Sequence, residues 1–271
     1  MARKAVGVAL GGLALAVGIG VVLAAPRPSP SAAPATVRLA AGVQDYRPAG
    51  EFRIGTRIVD APLGRARVAA VEIMKYQVSE ADYARCMDAG ACPATLTGRR
   101  ADYPQTNVNL GDAMAYAAWL SARTGSAWRL PSDAEWLRAA GNRAVDDALG
   151  AEASGSDPSR RWIAGYRREA ALRGESALGP RPLGAFGAND LGVQDIAGNV
   201  WEWTGTCFQN GTVSADGQTI ASHSDYCGVR AVQGRHRAFV IDFIRDARVG
   251  GCSAGLPPDH LGFRLVHDPA R

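Results

Sequence analysis

Apolar residues along this chain fall into short runs, and their period changes several times. Glu51 to Thr56 (EFRIGT) alternates apolar and polar positions, as a half-buried strand does, and Val68 to Met74 (VAAVEIM) reads as a second strand. SEADYARCMDAG then starts a helix at Ser79, with an S-x-x-D capping pattern, and ends it at Gly90. A second helix is expected over Leu110–Arg123, with Ala113, Met114, Ala117 and Leu120 on its apolar face and Gly125 as its stop. Ser132 and Glu135 form a capping box that opens a third helix, DAEWLRAAG, closed by Gly141. From Gly155 to Ala188 arginine, glycine and proline recur without a period, so irregular loop is expected there. Beyond it, short apolar runs alternate with Gly and Asn turns. The pattern is α+β with a large irregular fraction.

The N-terminus adds a different signal. MARK is followed by an unbroken apolar run from Ala5 to Ala25, the n- and h-regions of a secretory signal. The run is also long enough to span a bilayer, so residues 1–25 read as a signal peptide or an N-terminal anchor. Ala33-Pro34-Ala35 suits a small-residue cleavage site. Residues 26–40, which include PRPSPSAAPA, read as a semi-rigid linker, and residues 41–271 as one exported domain. Export places that domain in the periplasm or outside the cell, held to the inner membrane only if the first segment is retained.

Composition narrows the function classes. The net charge of +4 comes from arginines scattered among acids, which fits a solvated surface and not a nucleic-acid binder. Of the five cysteines, Cys86 and Cys92 flank MDAGA, and a loop-closing disulfide is expected there. Cys207, Cys227 and Cys252 leave one unpaired, which the spacing does not identify. The remaining thiol is either buried and inert, reactive, or a metal ligand. All six tryptophans lie between Trp119 and Trp203, which suggests a central aromatic core.

Three stretches, WRLPSDAEWLRAA from Trp128, AGNVWEW from Ala197 and LGFRLV from Leu261, occur in an order and spacing that resemble the formylglycine-generating, sulfatase-modifying enzyme family. The resemblance implies a C-type-lectin-like fold: a small antiparallel sheet, two or three helices and much irregular loop. It also implies a calcium site made by the backbone oxygens of Ala197, Gly198 and Val200 with the Glu202 side chain. Glu202 beside a Gly198-Asn199 turn suits a hard cation, which takes oxygen ligands. The alternative is that Glu202 bonds the loop's own amides. By strand alternation Trp201 and Trp203 face one way and Glu202 the other. The family's other calcium loop would fall near Trp162–Gly165, where its ligands have no match. LGFRLV reads as a closing strand whose Arg264 meets a buried carboxylate.

The stretch GRHRAFVIDFIRDARVGGC, from Gly234 to Cys252, resembles the family's catalytic strand. Aligned on His236-Arg237 and Ala247-Arg248, it places Val240 and Arg245 where the family carries its two copper-binding cysteines. Neither residue binds copper(I), which favours thiolates. Formylglycine generation by the family's mechanism is therefore not expected. His236, Asp242, Arg245 and Cys252, with Asp246 and His260, are the candidate site residues that remain. A histidine with a carboxylate would suit iron, but no H-x-x-x-H or H-x-D spacing fixes such a site; calcium is the metal the resemblance implies, and copper or iron is not expected. Arg235, Arg237, Arg245 and Arg248 would alternatively form an anion-recognising patch, in part paired with Asp242 and Asp246.

CMDAGACP, AVDDALG, GRHRAFVIDFIRD and GGCSAGLPPDHLGFRLV together resemble accessory proteins encoded beside copper nitrite reductases in denitrifying bacteria. That narrower resemblance implies a periplasmic partner in the maturation or activity of such a reductase. The rival reading is a metal-dependent oxidoreductase acting on a peptide or small molecule, with a non-cysteine active site near 235–252.

Overall fold

The computed structural model describes residues 33–146, 148–153, 157–173, 179–247 and 260–269. The Ala5–Ala25 run and Cys252 therefore lie outside the described residues. Strands β1 (Thr36–Leu39), β6 (Val71–Met74) and β11 (Val266–His267) form one antiparallel sheet in the order β1-β6-β11. β2 (Gly42–Tyr46) pairs with β5 (Gly64–Val68). The largest sheet runs β4 (Arg57–Val59), β3 (Gly50–Ile54), β7 (Trp201–Val213), β8 (Ile220–Gln233) and β9 (Arg237–Ile241), with β10 (Leu261–Gly262) added to β7. Most pairings are antiparallel; β3 and β10 each run parallel to β7.

The helix starts follow the caps. Ser79 accepts the Asp82 N–H and opens α1 (Glu80–Asp88). Asn109 and Asp112 make a reciprocal capping box at α2 (Leu110–Thr124), and Gly125 closes it in the left-handed conformation, φ 76°. Ser132 and Glu135 do the same at α3 (Asp133–Ala140). The Cys86–Cys92 disulfide closes the return after α1.

Several expectations are corrected. Thr36–Leu39 belongs to a sheet, so the linker does not reach residue 40. Val68–Met74 is not one strand: β5 ends at Val68, and β6 starts at Val71 in another sheet. Met114 is exposed, and Tyr116 takes its place on the buried face of α2. The stretch expected to be irregular contains a fourth helix, α4 (Pro158–Arg173). Its period was invisible because Ala164 is its one buried residue among the described side chains. Arg161 bonded to Asp60, and Arg168 to the Ala148 and Asp146 carbonyls, hold it instead. LGFRLV is split between β10 and β11, with Phe263, Arg264 and Leu265 buried between them.

Two main apolar clusters form the core. Tyr83, Tyr116, Leu120, Trp201, Trp203, Val240 and Phe263 join α1 and α2 to the large sheet. Trp136, Ile73, Ile196 and Val266 join α3 to the three-stranded sheet. Trp162, 66 % exposed, stands outside both, so the aromatic core does not take in every tryptophan.

Candidate functional site

The GNVWEW segment begins where Asp195, Ala197 and Asn199 all take left-handed backbone, φ 58°, 59° and 50°. Asp195 holds this bend by accepting the N–H groups of Gly184 and Phe186. β7 then starts at Trp201, and alternation behaves as expected. Trp201 and Trp203 enter one cluster, while Glu202 turns toward Trp136 of the other.

Glu202 and Arg264 are both fully buried. Arg264 Nε and Nη2 donate to the two Glu202 oxygens at 2.6 and 2.7 Å. Trp136 Nε1 and Gln77 Nε2 each add a bond of 2.8 Å to the same carboxylate. The remaining Arg264 donors reach the carbonyls of Met74, Lys75 and Gln194. Every donor of the guanidinium and about four carboxylate lone-pair directions are thus engaged. A calcium ion on this side chain would displace those donors and sit against a guanidinium. The donor set therefore does not fit calcium in this arrangement, and the carboxylate expected to meet Arg264 is Glu202 itself. The segment near Trp162–Gly165 lies inside α4.

The Gly234–Ala247 stretch forms the edge of the large sheet. β9 pairs with β8 from Gln233↔Arg237 to Val229↔Ile241. Val240 is fully buried in the aromatic cluster. Arg245 forks onto Asp112 at 2.7 and 2.9 Å, and that bond holds its guanidinium pKa above the ordinary value. Arg237 bonds Asp133 at 2.8 Å, both side chains being almost or wholly buried, and also the Arg47 carbonyl. Burial first, and Asp133 next, push the neighbouring Tyr46 phenol up. The expected partners Asp242 and Asp246 are replaced in these pairs by aspartates at the starts of α2 and α3. Those lie more than a hundred positions away in sequence, and each reads locally as a helix-start residue. Of the four arginines expected to form a patch, Arg237 and Arg245 are engaged with these aspartates, and Arg248 lies outside the described residues.

His236 is 4 % exposed. Its Nδ1 lies 3.0 Å from the Arg237 carbonyl, so this nitrogen carries the proton. Its ring stands edge-on to Trp201, with centroids 5.4 Å apart. Nε2 is buried without a hydrogen-bond partner among the described residues. Arg235, Trp201 and His260 line one small recess together with Phe186 and Asn199. Asp242 lies in the turn after β9, its carbonyl accepting the Leu110 N–H. Among the described residues no group of three or more His, Cys, Asp or Glu gathers to hold a metal.

Cys207 and Cys227 are joined across the β7–β8 hairpin. Four of the five cysteines are therefore in disulfides, a pattern that suits an oxidising compartment. Among the described residues no helix is long and apolar enough to cross a membrane.

Comparison with known proteins gives a consistent family. The chain is 31 % identical to the formylglycine-generating enzyme of Mycobacterium tuberculosis over 66 % of its own length and 64 % of that enzyme's. It is 27 % identical to the inactive Cα-formylglycine-generating enzyme 2 of Bos taurus, over 67 % of this chain and 56 % of the relative. It thus spans less than two thirds of either curated relative. The structure of PvdO from Pseudomonas aeruginosa matches with a TM-score of 0.54 at 21 % identity, covering 87 % of this chain and 95 % of that one, which shows a shared fold. The sulfatase-modifying factor enzyme 1-like domain matches residues 23–269, and the chain belongs to that family.

Proposed function

We propose that this chain is an exported accessory protein that keeps the family's fold without its formylglycine chemistry and assists a copper nitrite reductase in the periplasm. The observation that carries the first half is the state of the cysteines. A copper(I) dithiolate needs two thiols. With Cys86–Cys92 and Cys207–Cys227 joined, Cys252 is the one cysteine left, so no second thiol can complete a pair. Val240 in the core and Arg245 on Asp112 are built in as structural residues at the positions that the resemblance assigns to the copper ligands. An inactive relative in the same family is consistent with a protein that works by binding. The reductase as partner rests on the four sequence stretches quoted above, and export on the N-terminal segment.

Two measurements test the reading. The purified protein, supplied with copper(I), oxygen and a cysteine-containing sulfatase peptide, should form no formylglycine. Deleting the gene in a denitrifying bacterium should lower the activity or copper content of its nitrite reductase; an unchanged reductase would overturn the partner. The oxidoreductase reading predicts stoichiometric iron or copper on protein from its native periplasm, lost in His236→Ala or Cys252→Ala. Finding it would sink the non-catalytic reading.

A further inference from the structure

Helix α4 shows the solvent a face that a solitary monomer has no use for. Trp162, Ile163 and Tyr166 are 66, 40 and 48 % exposed. They occupy neighbouring positions around one turn, since residues three and four apart share a helix face. The Trp162 and Tyr166 rings are stacked, centroids 6.0 Å apart and planes 17° from parallel. The helix beneath them is anchored. Ala164 is buried, Arg161 pairs with Asp60 at 2.7 Å, and Arg168 reaches the carbonyls of Ala148 and Asp146. The aromatic pair is therefore held in place before anything binds, which lowers the entropy lost on association.

Charge adds a direction. Residues 158–173 contain five arginines and one glutamate. Arg161 and Arg168 face inward to the bonds just named, whereas Arg160 and Arg167 are exposed beside the aromatic turn. Trp, Tyr and Arg are the residue types that dominate binding hot spots, and a compact aromatic centre with a basic rim is how such a spot is built. A membrane-surface helix would need its apolar face continued along its length. Here it covers little more than a turn, with Arg160 and Arg167 on either side of it.

We propose that the outward face of α4, centred on Trp162 and Tyr166, is the docking surface for a protein partner that offers an apolar pocket rimmed by carboxylates. This deepens the accessory-protein reading and rests on it. The test uses the full exported domain and, as probe, purified copper nitrite reductase, with affinity measured by titration calorimetry. Trp162→Ala combined with Tyr166→Ala should weaken binding by at least ~30-fold, the size of one hot-spot loss. Arg160→Glu combined with Arg167→Glu should slow association and flatten its salt dependence. Leu96→Ser, at an exposed site in the segment after the Cys86–Cys92 disulfide, should leave binding unchanged, and circular dichroism should report the same fold in all variants. Equal binding by the aromatic variant would overturn this surface while leaving the partnership intact. Absence of binding by the unmodified protein would overturn the partnership and the proposal built on it. Aromatic-dependent binding to phosphatidylglycerol vesicles in place of the reductase would assign α4 to a membrane surface and overturn protein docking.

Discussion

Glu202 and Arg264 meet 2.6 Å apart with no solvent access to either side chain, and every polar atom of the pair has a partner. The pair ties the start of β7 to the segment between β10 and β11, and through Gln77, Met74 and Lys75 to the end of β6. A buried ion pair of this kind contributes little against an apolar substitute, but breaking one half leaves an uncompensated charge. Arg264→Met should lower stability by about 3–5 kcal/mol in urea unfolding. Arg264→Met combined with Glu202→Leu should recover much of that loss. Equal losses in the single and double variants would refute the account.

Denatured, unreduced protein should react with one equivalent of a thiol reagent, and Cys252→Ser should remove the signal. Two or more reactive thiols would reopen the copper dithiolate.

Acid should destabilise the fold through Glu135 and Glu80. Burial alone would raise the Glu135 carboxyl. The Arg129 guanidinium and the Ser132 N–H outweigh it and hold the pKa below the ordinary glutamate value. Burial acts likewise on Glu80, and Arg100 outweighs it. A lowered folded-state pKa gives stability that is complete above the unfolded value, about 4.3, and lost as pH falls through the folded one. Stability measured from pH 6 to 3 should therefore decline below about pH 4.5, and Glu135→Gln with Glu80→Gln should flatten that decline.

Gly50 permits the parallel contact of β3 with β7. A Cβ there would lie 1.9 Å from the Gln209 carbonyl oxygen, and that oxygen belongs to backbone that cannot move aside alone. Gly50→Ala should cost about 1–3 kcal/mol or more by overpacking, read as a lower melting temperature. A neutral effect would mean that the β3–β7 approach is looser than described.

Local chemistry made much of the fold legible. Ser79, Ser132 and Glu135 announced the starts of two helices, and glycines announced their ends, because caps act within four residues. The opposed directions of Trp201 and Glu202 followed from strand alternation alone. Three features stayed hidden for identifiable reasons. α4 is fastened by Arg161 and Arg168 and lacks an apolar stripe, so it has no period to read. The outer part of the β7–β8 hairpin is exposed from Ala221 to Gly228, which removes the alternation that marks a half-buried strand. Asp112 and Asp133 look like ordinary helix-start residues until Arg245 and Arg237 arrive from the other end of the chain.

By itself the sequence determined the family, the boundaries of α1, α2 and α3, and the Cys86–Cys92 pairing, because each depends on residues close together in the chain or on motifs in a set order. Tertiary structure alone decided that Glu202 belongs to Arg264, that Arg237 and Arg245 are structural, and which cysteine joins Cys207. Those outcomes depend on which distant charges and thiols folding brings within bonding distance, and no local period records that.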